Sequence, residues 1–460
     1  MINKIIAWSI QQRALVLLAT VVVVLGGLVA LQRTPVDAIP DLSDVQVIVK
    51  TPFPGQAPQV VEDQVTYPLS NLLLGIPGAK AVRAYSFMGD SYVYVIFDDS
   101  TDVYWARSRI SEYLSQASTI LPPGVQPQIG PDATGVGWIY QYAITDSSNQ
   151  HNLADLTRLQ DWFIKQELQS VEGVSEVAKV GGMVKQYQIV VDPEALRRLQ
   201  IPITHIATAV QRNNQSSGAS VIEQAGAEHM VQMLGYIDSI DDIKNTPLGL
   251  SANGLPVLVK DIATVTLGPL SRRGVADLNG QGDAVGGIIV MRSGADAQRT
   301  IEAVKAKLAI VEQSLPQGIT LTTVYDRSQL IKRAIDDLST KLLQEFVVIA
   351  LVCAVFLFHL RSSLVAIISL PIALLLASWL MYAQGISANI MSLGGIAIAI
   401  GAMVDASIVM VENLHKHLSE TQRQPADHWQ LVIESAQEVG PALFFSLLII
   451  TVSFLPVFSL

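Results

Sequence analysis

Between residues 14 and 31 the sequence reads ALVLLATVVVVLGGLVAL, a run with no charged side chain. A helix needs about 20 mostly apolar residues, within about 17 to 25, to cross the hydrocarbon of a bilayer. Inside that layer every backbone polar group must find an internal partner, which leaves few structures besides the helix. Four further segments have the same character: 342–360, 364–384, 390–411 and 441–460. The first of these four is interrupted at its start by Gln344 and Glu345, and its clear part begins at Phe346. The expectation is five membrane helices, with one long loop between the first and the second.

Composition agrees with that division. Soluble chains are about 25% charged, whereas this one is 15% charged and 50% hydrophobic, with a mean hydropathy of +0.39. A membrane protein with a large soluble part fits these values. The net charge of −10 argues against nucleic acid or anionic lipid as the main partner. The single cysteine, Cys353, lies in an apolar segment, so neither a disulfide framework nor a cysteine metal site is expected.

A basic start, Lys4 and Arg13, would also suit a cleaved signal peptide. The apolar run is longer than a typical signal core, and VALQRTP offers no A-x-A cleavage site, so an uncleaved helix is preferred. Cationic flanks set orientation. Lys4 and Arg13, then Arg361, then Lys416 and Arg423 fall on one side if the N-terminus is cytoplasmic, with Arg33 a mild exception. The long loop is then extracytoplasmic. Because the chain ends with the fifth apolar segment, at FLPVFSL, it is expected to be part of a larger unit.

Within the loop, VQVIVKTPF alternates as a strand, APQVVEDQVTYPLSNLLL reads as a helix, and two strands, a helix and LPPGVQPQI follow. This βαββαβ order is that of a ferredoxin-like sandwich, with one sheet face for helices and the other free. The pattern recurs. LLGIPGAKAV corresponds to LQSVEGVSEV, aligning Gly78 with Gly173 and Val82 with Val177; YVYVIFDD is matched to KQYQIVVDP, aligning Asp98 with Asp192. The later landmark LPxG recurs at Leu121 and Leu315. That larger offset implies an insertion into the second copy after Asp192. The expected fold is a membrane α-helical bundle plus an α/β extracytoplasmic part. Its divisions are 1–33 (an N-terminal interfacial segment and the first membrane helix), 34–133 (first subdomain), 134–192 with 276–335 (second, split), 193–275 (insert) and 336–460 (four membrane helices).

Asp405 lies in the fourth apolar segment, in GAMVDASIVMVEN. A mid-membrane carboxylate costs about 2.5–3.5 kcal/mol on insertion scales. Either it pairs structurally with a polar group on a neighbouring helix, or it is a proton site whose affinity shifts as a cationic partner comes and goes. The second reading is favoured, although no other segment carries a central Lys or Arg to pair with it. Small residues from Gly394 to Ser407 would let another helix approach this one closely. Met391, Met403 and Met410 share the segment: seven residues place Met403 and Met410 on one face, and fourteen bring Met391 near the face of Asp405. Thioethers suit Cu(I) or Ag(I); packing or lipid contact would equally explain them.

PVDAIPDLSDVQVIV, TGVGWIYQYA and NIMSLGGIAIAIGAMVDASIVMVEN together resemble the resistance-nodulation-division efflux pumps, and within them the heavy-metal branch and its Cu(I)/Ag(I) members. The likeness runs through the whole chain, which would be the N-terminal half of a twelve-helix pump. It implies proton relay at Asp405, coupled to residues of the other half, and a stepwise path for Cu(I) or Ag(I) through Met391, Met403 and Met410. The transported ion would be that metal and the coupled ion H+, with no cofactor and no enzymatic chemistry. It implies ferredoxin-like porter subdomains with an inserted docking subdomain. It also implies a homotrimer in the inner membrane of a Gram-negative cell, working with a periplasmic adaptor and an outer-membrane channel. Ala406 after Asp405 is unlike both the paired aspartates of drug pumps and the VDGA of Zn/Co/Cd pumps. One residue departs from the pattern: GPLSRRG has Ser271 where the Cu/Ag members carry methionine. An exporter of divalent cations or organic compounds, and a non-transporting assembly or sensing protein of similar fold, are the alternatives.

Overall fold

The computed structural model describes residues 1–250, 254–272, 274–357, 360–420 and 428–454. Arg423, part of the orientation argument, and the last residues of the fifth apolar segment lie outside them, as does Arg273 beside Ser271.

β1 (Gln46–Pro52) alternates in burial residue by residue, as a strand with one covered face must. With β2 (Ala79–Phe87), β3 (Asp90–Phe97) and β4 (Gln128–Ile129) it forms an antiparallel sheet of order β2-β3-β1-β4. Val47, Val49, Val93, Val95 and Phe97 pack from this sheet onto Leu69, Leu73 and Ile110 of the overlying helices. The opposite face is open and aromatic: Tyr85 meets Tyr94 edge-on at 5.6 Å, and Phe87 meets Tyr92 at 5.8 Å.

The second sheet contains β5 (Trp138–Asp146), β6 (Val174–Gly181), β13 (Val285–Met291) and β14 (Ile319–Asp326), in the order β14-β5-β13-β6. Taken within its own unit, each sheet has its first strand between the third and the fourth. The repeat landmarks match in backbone as well. Gly78 and Gly173 have φ of 81° and 87°, and Gly124 and Gly318 have 84° and 88°, conformations that a side chain resists. In both units the first helix carries a widened π turn, at Glu62–Thr66 and Gln160–Ile164.

One alignment from the sequence is wrong. β7 (Lys185–Val191), matched above to the third strand, leaves the second sheet and pairs instead with β12 (Ala263–Pro269) along its whole length. The third strand is β13, VGGIIVM, buried at six of its seven positions. VGGIIVM carries no polar side chain and sits between two antiparallel neighbours, whereas KQYQIVV leaves Lys185, Tyr187 and Val190 exposed and forms a two-stranded ribbon. The insertion therefore opens after β6, at Gly181. Beyond the ribbon it holds the helices Pro193–Leu199 and Ile203–Asn213, the hairpin β8 (Ser217–Gln224) and β9 (Ala227–Met233), and the pair β10 (Pro247–Leu250) and β11 (Pro256–Leu258). Ile206, Ile243, Val257, Val259 and Ile262 give it a core of its own.

The apolar segments are helices: Arg13–Arg33, Arg327–Leu357, Leu360–Gln384, Ile390–Glu420 and His428–Phe454, here called membrane helices one to five. Among the described residues, Arg13–Arg33, Ile390–Leu418 and Trp429–Ser453 are long and apolar enough to cross a membrane, and Ile368–Gln384 is a shorter apolar stretch. Helices two and five begin well before their apolar segments. Helix two continues straight from β14, and Pro441 lies inside helix five, a placement that neighbouring helices make tolerable within a membrane.

Besides the stripe of helix four, where the Ser407 hydroxyl lies 3.2 Å from that of Ser369, helices one and three also approach closely. A Cβ on Gly27 of helix one would lie 2.6 Å from the Leu375 Cβ of helix three, and one on Gly26 would lie 3.1 Å from the Trp379 ring. On helix four, Gly394, Gly395 and Gly401 face open space within the described chain.

Candidate functional site

Membrane helix four starts where it does because of Asn389. Its side-chain oxygen accepts the N–H groups of Met391 and Ser392, each at 3.0 Å, while the Ser392 hydroxyl accepts the Asn389 N–H at 2.9 Å. This reciprocal cap satisfies donors that the first turn would otherwise leave unpaired. Asn389 itself is buried, so the cap fixes the end of the helix that carries Met391.

Farther along, helices three and five pack most extensively on helix four, with helix two beside it. Helix three supplies Leu370 and Leu374, which meet Ile396 and Ile408, and Ser369, whose hydroxyl lies 3.2 Å from that of Ser407. Helix five supplies Ser435 and Glu438. Asn413 donates to the Ser435 carbonyl at 3.0 Å and to Glu438 at 3.2 Å, and His417 sits 2.7 Å from the same Glu438 carboxylate.

Asp405 lies on neither contact. Its side chain is exposed, and among the described residues no hydrogen bond or ion pair reaches it. At about 100° per residue, Asp405 and Met391 fall within about 40° of each other on the helix, and about 21 Å apart along it. Met391 is 67% exposed. Met403 and Met410 share a second face, about 100° or more from Met391, and both are half-buried. The four candidates thus occupy one helix but two faces, an open one with Asp405 and Met391 and a partly covered one with Met403 and Met410. Ser271 is far from them in sequence, in an open groove with Lys179, Val180, Leu270 and Arg272, where Arg272 pairs with Asp283 at 2.7 Å.

A second polar cluster, not anticipated from the sequence, lies where the α/β units meet the helices. Asp37 pairs with Arg327 at 2.9 Å, both side chains being mostly buried. The preceding residue, Asp326, pairs with Lys305 and accepts the Ser328 N–H at 3.0 Å, which caps helix two. Burial pulls the Asp326 carboxyl upward, but Lys305 and Ser328 outweigh it and hold the group below its ordinary value of 3.8. Burial dominates at Asp37 and raises its carboxyl despite Arg327. The one signal in the sequence was Asp37 inside the PVDAIPD motif; nothing local pairs it with a residue 290 positions away.

The chain thus combines two antiparallel α/β units, an inserted module and long apolar helices, one of which carries an acid and three methionines. The model of the AcrB/AcrD/AcrF family matches residues 5–460, and the chain belongs to that family. It is 56% identical to the cation efflux system protein CusA of Escherichia coli, over 100% of this chain and 45% of that protein. It is 35% identical to the cobalt-zinc-cadmium resistance protein CzcA of Cupriavidus metallidurans, over 100% of this chain and 44% of that protein. A crystal structure of a heavy metal efflux pump matches with a TM-score of 0.82 and 30% identity, covering 99% of this chain and 44% of that one. The chain spans less than half the length of these relatives.

Proposed function

We propose that this chain forms the N-terminal part of a proton-driven exporter that moves Cu(I) or Ag(I) across the envelope of a Gram-negative cell. The observation that carries the reading is the open face of helix four, which holds a carboxylate with no partner among the described residues and, about 21 Å along the helix, an exposed thioether. A carboxylate in a low-dielectric setting holds its proton until a cation approaches, and gives it up when that cation arrives. Asp405 would exchange a proton in this way against a basic group elsewhere in the full-length protein. The thioethers of Met391, Met403 and Met410 would pass a soft monovalent metal along the helix, as their chemistry suits.

On this reading the two α/β units are ferredoxin-like porter subdomains, with the docking insert opening at Gly181 in place of Asp192. The protein would work as an inner-membrane homotrimer, its long loop periplasmic, with a periplasmic adaptor and an outer-membrane channel. Protonation of Asp405 would shift helix four and rock the porter subdomains between access states.

A divalent-cation exporter is the second reading. It is supported by Ser271, a hydroxyl where a thioether would serve a soft metal, and by the likeness to a cobalt-zinc-cadmium resistance protein.

Metal tolerance of an efflux-deficient host separates the two. With the complete gene, Asp405→Asn should abolish tolerance, and Met391→Ile should lower Cu and Ag tolerance while the protein accumulates normally. Retained Cu and Ag tolerance in the Asp405→Asn strain would remove the proton relay, and Zn tolerance without Cu or Ag tolerance in the parent would favour the divalent reading.

A further inference from the structure

After helix one, the chain runs along the turn that opens helix four. Ala388 donates its N–H to the Pro35 carbonyl at 2.9 Å, Asp37 donates to the Ala388 carbonyl at 3.0 Å, and Ile390 donates to that of Ala38 at 3.4 Å. Val36 and Ala388 form a two-residue parallel bridge. This segment is thus bonded through its backbone to the residues on either side of Asn389, whose side chain caps helix four.

The other side of the same segment faces the second α/β unit. Ala38 is fully buried in that unit's core, and Val36 packs against it. The Asp37 carboxylate meets Arg327, the first residue of helix two, and Arg327 also donates to the carbonyl of Val136, just before β5. Asp326 beside it is tied to Lys305 on the helix that covers the second sheet. Four residues, Pro35 to Ala38, therefore touch the start of helix four by hydrogen bonds, the start of helix two by an ion pair and the core of the second unit by packed side chains.

Stability alone is a poor reason for such a pair. Removing two charges from water costs about as much as their attraction returns, and an apolar pair of the same volume often does as well. Burial already strains Asp37 toward its neutral form, and Arg327 Nε has no hydrogen-bond partner among the described groups. What a buried pair supplies, and an apolar contact does not, is one fixed register between the parts it joins.

We propose that Asp37 and Arg327 are positioning residues, forming the strut through which displacement of helix four is passed to the second porter subdomain. The proposal rests on the proton-relay reading of Asp405 and adds the route by which that site acts at a distance. With the strut intact, a shift at the start of helix four pulls the 35–38 segment, and the segment carries Arg327, helix two and β5 with it. With the charge removed the two bodies move independently: metal still binds, but protonation no longer drives its passage.

The test uses the full-length protein with native cysteines replaced and spin labels at Gln116→Cys and Ala309→Cys, one on each porter subdomain. Acidification should change the label separation in the parent. Asp37→Asn should abolish that change and lower Ag(I) efflux per molecule about tenfold, a loss within the range of broken couplings. The half-saturating Ag(I) concentration should stay within about twofold, because binding is untouched. Arg327→Lys keeps the charge but loses the planar fork, and should lower efflux about threefold. A parental separation change and parental efflux in Asp37→Asn would overturn the proposal; if that variant does not accumulate, the same result in Arg327→Lys does so. Asp405→Asn is the control. Loss of efflux there with parental behaviour in Asp37→Asn removes only the strut, while parental efflux in Asp405→Asn removes the proton-relay reading itself.

Discussion

The two α/β units and the helical bundle bury their apolar residues in opposite ways. Each sheet closes its own core, with Leu69, Ile110 and Phe97 fully buried in one unit and Ile164, Ile289 and Ile301 in the other. In the bundle a buried cluster forms around Leu370 alone among the described residues, and the large side chains of helix four, such as Ile398 and Val409, stay open. Sheets in water must cover their apolar face to be stable, while membrane helices gain little from covering one apolar face with another. Within this chain the closed cores therefore lie in the α/β units and the open surface on helix four, where Asp405 and Met391 are exposed.

If this contrast holds, truncation should be costly in the sheets and mild on helix four. Ile289→Ala, at the centre of the second sheet, should cost about 2–5 kcal/mol, read as a lowered denaturant midpoint of the purified protein. Val409→Ala, on the open side of helix four, should leave the midpoint within error. Equal losses would erase the distinction.

The bundle has one tight exception, and a second substitution isolates it. Gly27→Leu must push helix three aside, since even a Cβ would meet Leu375 at 2.6 Å; overpacking of this kind costs about 1–3 kcal/mol. Gly401→Leu, facing open space within this chain, should be tolerated for accumulation in the membrane. Reversed outcomes would show that helix four carries the close contact.

The smallest effect concerns the border between the regions. Asp326 is held below 3.8 by Lys305, so its contribution to stability is complete above that value and is lost as pH falls through the lower, folded-state value. Lys305→Met removes the largest influence opposing burial, so the carboxyl should rise from its lowered value while Ser328 still holds it down. The variant should be less stable at neutral pH, and its stability should fall less steeply below the ordinary carboxylate range. Denaturant midpoints recorded against pH check this, and parallel curves would contradict it.

Much of the fold was legible because its signals are local. Apolar runs gave the membrane helices, and Gly78, Gly173, Gly124 and Gly318 gave the repeat, since a left-handed turn selects glycine at both copies. KQYQIVV was misplaced because a strand pattern reports its own burial and not its partner; the buried VGGIIVM was the better candidate for a central strand. The stripe of small residues on helix four suggested close packing, and Ser407 does lie 3.2 Å from Ser369; nothing local singled out Gly26 and Gly27, where the facing side chains Leu375 and Trp379 decide the distance. Helical spacing alone placed Asp405 with Met391 and Met403 with Met410. The Asp37–Arg327 pair was invisible, because it depends on how residues from opposite ends of the long loop converge.

On the proposed function the open acid on helix four couples proton entry to metal exit, and reconstituted full-length protein shows whether it does. Vesicles reporting internal pH and Ag(I) together should show metal-dependent proton movement for the parent protein. For Asp405→Asn at equal protein content, both fluxes should vanish while Ag(I) binding persists. Proton movement that continues at the parental rate in Asp405→Asn would contradict the account.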